Sequence, residues 1–264
     1  MRWSRGSSDA RIEDRRGMGG GGFGLPAAGV GGMGVVGLVI YLLVSVLGGG
    51  GGGGGMPALN DAPSSAGGTD ELKDFVTFVV NDVEDSWKQS FASSGRQWQD
   101  APLVLYTGFT QTACGGGSAQ SGPFYCPGDQ KVYLDLSFFQ ELRDRFGAPG
   151  DFAQAYVIAH EVGHHVQTLL GISPSGSNAS SVRHELQADC LAGVWGHSAQ
   201  QRGLLESGDV QEGLDAAAAV GDDRLQRQAG QRVDPDSFTH GSSEERTDAF
   251  NTGFESGSVS DCGV

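Results

Sequence analysis

The sequence predicts an α+β protein, predominantly helical, with a small β element and one transmembrane helix ahead of a single large domain. Three observations carry this reading. Proline-free stretches with helical apolar periodicity recur from Asp70 onward, and two short β-branched and aromatic runs interrupt them. Val30 to Leu47 is an 18-residue apolar stretch inside a 44-residue interval without a charge, just long enough to span a bilayer. The 264 residues leave room for one sizeable domain plus appendages. The expected division is a basic N-terminus over 1–28, an anchor over 29–47, a glycine-rich tether over 48–69 and the domain over 70–264.

The first 16 residues hold five arginines (2, 5, 11, 15 and 16) against Asp9, Glu13 and Asp14. By the positive-inside rule this end is cytoplasmic, and the domain is extracytoplasmic, in a bacterial envelope. A cleaved signal peptide is the rival reading, but its apolar core is usually about 7 to 15 residues and ends at a small-residue cleavage site. Gly48 to Gly55 is a run of glycines that reads as a flexible tether. The chain carries a net charge of −15, and −17 once the basic end is set aside. Such a surface repels nucleic-acid phosphates, so no nucleic-acid partner is expected, and it keeps an exported domain soluble.

All four cysteines lie beyond the apolar stretch, which fits an oxidising compartment. Three pairings are open in principle. Cys114 and Cys126 flank a Gly/Ser/Pro loop and are natural partners by nearness, which leaves Cys190 with Cys262. No C-x-x-C spacing supports a cysteine metal site.

Within the domain, Leu72, Val76, Val79, Val83, Trp87 and Phe91 form one helical stripe, read as core. Leu103–Tyr106 and Lys131–Asp135 read as strands, followed by a helix over about 137–146. Asp151 is placed to cap a helix from Phe152 to Leu170, and Gly171 to stop it. Further helices are expected over 182–199, 210–228 and from Ser242 to Phe254. The last opens with a Ser242/Glu245 capping box.

The helix over 152–170 carries His160-Glu161-Val162-Gly163-His164, the H-E-x-x-H pattern. Histidines at i and i+4 share one helix face and can bind one zinc ion, while Glu161 is set to act on a water at the metal. Gly163 leaves room for close packing. Glu185 and Asp189 follow in the next helix, also at i and i+4. Catalytic zinc takes three protein ligands, and a ligating histidine wants its other nitrogen held by a carboxylate. With His160 and His164 as two ligands, one of Glu185 and Asp189 then becomes the third ligand and the other orients a histidine.

HEVGH followed by ELQAD resembles the gluzincin arrangement of zinc metallopeptidases, which implies His160, His164 and Glu185 as the metal ligands and Asp189 as the residue that orients a histidine. AYVIAHEVGHHVQ, HELQADCLAGVW, GPFYCPGDQKVYLD and AVGDDRLQ resemble a bacterial family of membrane-anchored neutral zinc metallopeptidases. The resemblance implies a zincin-like domain, one catalytic Zn²⁺ and a peptide or protein substrate. It also implies a strand near the motif helix that holds extended substrate by backbone pairing, with residues 131–135 as the candidate edge. Members of this clan place a histidine, tyrosine or arginine against the oxyanion, and His240 or Arg246 can fill that role. Capping and ion pairing are their plainer reading. The Asp222–Asp223 pair reads either as a solvated face or as structure near the site. His165, His184 and His197 fall off the metal face, and an exposed position is the default for His184.

The expected activity is zinc-dependent hydrolysis of peptide bonds. Glu161 serves as general base, and His240 or another donor stabilises the oxyanion. Two rival readings stand: a non-catalytic zinc-containing envelope module, and a zinc amidase acting on cell-wall peptide.

Overall fold

The computed structural model describes residues 1–17 and 66–264. The expected anchor, and the expected tether as far as residue 65, lie outside the described residues. Among the described residues no helix is long and apolar enough to cross a membrane. Residues 66–69, expected as tether, open the first helix.

In chain order the elements are β1 (Ile12–Asp14), α1 (Ala66–Ser93), β2 (Leu103–Tyr106), β3 (Phe109–Thr112), β4 (Gly115–Ser118), β5 (Phe124–Cys126) and β6 (Lys131–Asp135). Then come α2 (Ser137–Asp144), α3 (Asp151–Leu170), α4 (Asn178–Gln201), α5 (Asp209–Ala219), α6 (Asp222–Gln228) and α7 (Ser243–Ser256). The architecture is α+β and mostly helical. The apolar stripe of α1 is buried from Val76 to Phe91 and packs toward the long helix α3.

One sheet runs β1-β2-β6-β5, with β1, β2 and β6 parallel and β5 antiparallel to β6. β2 is buried throughout and β6 nearly so, which is why LVLY and KVYLD read as continuous runs rather than alternating ones. Lys131–Asp135 is thus an interior strand, paired on both sides. The expectation that it forms the open edge is corrected: among the described residues the edge on that side of the sheet is β5.

β3 and β4 form a hairpin within the stretch that read as a loop. Its glycine-rich strand GGGS lacks the alternation that signals a strand. Backbone pairing with β3 holds it instead, and the Cys114–Cys126 bridge ties the hairpin to β5. Cys190 pairs with Cys262, tying the chain end to α4. The first bridge closes a 12-residue separation. Replacing Cys114 and Cys126 together by serine is expected to cost about 3 kcal/mol by loop entropy, readable as a lowered denaturation midpoint.

Three boundaries differ from expectation for physical reasons. Asp151 is the first residue of α3 rather than its cap, which is Gly150, and its carboxylate accepts from the Met1 ammonium at 2.5 Å. The expected helix over 210–228 is two helices broken at Val220–Gly221. A Cβ on Gly221 would meet the Ser243 backbone nitrogen at 2.4 Å, so only glycine lets α7 approach there. α4 starts earlier than expected, at Asn178, because the Ser177 hydroxyl accepts the Ser180 N–H.

The largest departure concerns the N-terminus, expected as a separate segment over 1–28. Residues 1–17 belong to the same folded body as 66–264. β1 continues the sheet with Ile12 opposite Leu103, Met1 is buried, and Trp3 packs edge-on against Phe75 at 5.5 Å.

Candidate metal centre

α3 and α4 cross closely at Gly163, where an added Cβ would lie 3.0 Å from the Ala188 carbonyl oxygen. This small contact lets the two helices bring their polar faces together inside an otherwise apolar core. From α3, His160, Glu161 and His164 are buried at this contact, and from α4, Glu185 joins them. Ligand atoms of His160, His164 and Glu185 all lie within 4.8 Å of one another. Glu185 Oε2 is 3.2 Å from His160 Nε2 and 3.6 Å from His164 Nε2.

The donor set fits a zinc ion in its chemistry and in the supports behind it. Two imidazole nitrogens and one carboxylate oxygen are a known catalytic ligand set. Each histidine has its remote nitrogen engaged, which leaves Nε2 for a metal. His160 Nδ1 lies 2.8 Å from Asp189 Oδ1, and His164 Nδ1 lies 2.8 Å from Gln167 Oε1. Gln167 in turn donates to the His184 carbonyl and to Gln187 Oε1. Sequence reasoning missed Gln167, although it follows His164 by one helical turn, where an amide can reach back.

Asp189 is fully buried and surrounded by donors. Besides His160, the Tyr156 hydroxyl donates to Oδ1, and Arg246 spans both oxygens, with Nε at 2.8 Å and Nη2 at 2.9 Å. Burial opposes its charge, yet Arg246 and His160 hold its carboxyl down to about 2. Arg246 is itself buried, so its guanidinium is committed to Asp189, the Tyr156 oxygen and the Val220 carbonyl. Of the two roles open for Arg246, the geometry supports the structural one.

Burial pushes the Glu161 carboxyl above the usual carboxylate range, against the pull of His160 and His164. The same histidines, His164 foremost, drive Glu185 the other way, well below that range, although burial alone would raise it. Two neighbouring glutamates are thus driven in opposite directions by the same surroundings. β5 packs against α3, with the Tyr125 hydroxyl 3.0 Å from His165 Nδ1. The strand at that end of the sheet therefore runs against the helix that carries the candidate base.

His240 is buried. Asp222 Oδ1 lies 3.1 Å from its Nδ1, while Oδ2 accepts the backbone N–H groups of Thr239, His240 and Gly241. Asp222 is thus structure near the site, not a solvated face, and His240 Nε2 makes no hydrogen bond among the described residues. Asp223 instead binds the backbone and hydroxyl of Ser243. His165 is buried between the Tyr125 hydroxyl at 3.0 Å and the Gln99 carbonyl at 2.6 Å, away from the ligand cluster. His184 is half-buried rather than exposed. It stacks on His164 at 5.0 Å, and burial together with His164 pushes it down to about 4.

Two helices delivering H-E-x-x-H and a downstream glutamate into one buried cluster define a zinc-metallopeptidase class of site. The chain belongs to the family described as "putative neutral zinc metallopeptidase", whose model matches residues 1–264. It is 47% identical to "Uncharacterized protein YpfJ" of Escherichia coli K12 over 286 residues, covering 99% of this chain and 98% of that protein. It is 42% identical over 204 residues to "Uncharacterized protein Rv2575" of Mycobacterium tuberculosis, covering 71% and 68% of the two chains. No solved structure matches.

Proposed function

We propose that this protein is an extracytoplasmic, zinc-dependent endopeptidase. The observation that carries the reading is the convergence of His160, His164 and Glu185 beside Glu161, with both histidines held from behind. Bound there, zinc supplies Lewis acidity, polarising a carbonyl and lowering the pKa of water to about 7. Glu161 then takes a proton from the attacking water and passes it to the leaving amine. A carboxyl raised by burial is suited to both transfers. His240 Nε2 hydrogen-bonds the developing oxyanion, with its ring fixed by Asp222. An extended substrate pairs with the outer edge of β5, antiparallel to β6 and packed against the helix that carries Glu161, so main-chain bonds supply affinity. Two disulfides among the described residues support a location in an oxidising compartment.

Metal content tests the site. The full chain is expected to hold about one zinc and the Glu185→Ala variant to lose most of it, since a catalytic site needs three protein ligands. A well-folded parent that takes up no zinc after reloading would overturn the proposal. The oxyanion role has its own test. Asp222→Asn is expected to lower kcat roughly 10- to 100-fold, less than the loss of a whole oxyanion donor, with KM and zinc content nearly unchanged. A fall in zinc content to match would make Asp222 a structural residue only.

A further inference from the structure

Residues 1–17 are bound to the domain by more than surface charge. β1 lies in parallel register with β2, Ile12 to Leu103 through Asp14 to Leu105, and the Arg15 N–H continues the ladder to the Leu105 carbonyl at 2.8 Å. At the other end of the arm the Arg2 N–H donates to the Leu204 carbonyl at 2.7 Å. Between them Trp3 and Ile12 pack against the core formed by α1 and its neighbours.

The charges are matched as well. Arg11 is mostly buried and reaches Asp85 and Asp100, each at 2.9 Å, and Lys131 on β6 reaches Glu13 at 2.7 Å. Arg5 meets Glu71 at 3.0 Å and Arg2 meets Glu206 at 3.5 Å. Arg15 and Arg16 pair within the arm, with Glu13 and Asp14. Every arginine counted toward a cytoplasmic N-terminus therefore has a carboxylate partner, and three of the five take it from the domain. This is charge complementarity between a basic arm and an acidic body.

Two strands that share a hydrogen-bond ladder cannot lie on opposite faces of a bilayer. We infer that residues 1–17 and residues 66–264 occupy the same side of the membrane. The expected arrangement, with the arm cytoplasmic and the body extracytoplasmic, does not fit. Loss of the arm would strip β1 from the sheet and uncover the core that Trp3 and Ile12 cover. The inference does not depend on the zinc chemistry.

The test uses the full chain in cell membranes. Ser4→Cys and Ala92→Cys place single thiols at exposed positions on the arm and on α1. A membrane-impermeant maleimide is applied to intact spheroplasts and again after lysis. Both thiols are expected to label together, either both before lysis or both only after it. Labelling of one before lysis and of the other only after it overturns the inference. A carbodiimide, which joins only groups in direct contact, then tests the docking itself. It is expected to link Glu13 to Lys131, with the link lost in Glu13→Gln. Same-side labelling without that link would overturn the strand pairing on which the inference stands.

Discussion

Glu161→Gln is expected to keep its zinc and lose hydrolysis. The substitution preserves the shape of a buried side chain that is not among the three clustered ligands, so metal content should match the parent. What it removes is the acceptor. A general base contributes roughly 10²- to 10⁴-fold to rate, and Glu161 serves in two proton transfers, so turnover should fall by at least about that factor. The measurement pairs zinc stoichiometry with cleavage of an unstructured peptide substrate. Retained hydrolysis at full zinc occupancy would sink the mechanism. Loss of zinc together with activity would recast Glu161 as part of the metal site.

Arg246→Met is expected to be the most destabilising single substitution near the site. It would leave Asp189 buried with its charge and without the cation that spans both of its oxygens. Removing one partner of a buried pair costs about 3–5 kcal/mol, largely because the other charge stays behind. The denaturation midpoint should fall accordingly. Adding Asp189→Asn to Arg246→Met should recover part of that stability, since the stranded charge is then gone. The double variant should bind zinc about 10- to 100-fold more weakly, because His160 loses the carboxylate that orients it. If Arg246→Met alone proved neutral, the picture of Asp189 as a charge balanced by Arg246 would be wrong.

Much of this site was legible in the chain because its key spacings are local. Residues at i and i+4 on a helix share a face whatever else the protein does, which set His160 with His164 and Glu185 with Asp189. The stripe of α1, the Ser242/Glu245 capping box and the runs that became β2 and β6 are local in the same sense. The weaker readings were those that needed to know what a residue faces. Arg246 could be read as an oxyanion donor until α7 was seen to press it against Asp189. Asp222 could be read as a solvated face until its carboxylate was seen to gather three backbone N–H groups and His240.

By itself, then, the sequence determined the two i, i+4 pairs and the helices that carry them, because periodicity and capping are properties of neighbouring residues. Only the tertiary structure decided that β5 rather than β6 is the free edge, that Gln167 steadies His164, and that the N-terminal arm is a strand of the domain. The physical reason is common to all three. Strand neighbours and buried hydrogen-bond partners are chosen by contacts between distant parts of the chain. β1 and β2 are brought together across some ninety residues by a ladder and an apolar face that no local pattern announces.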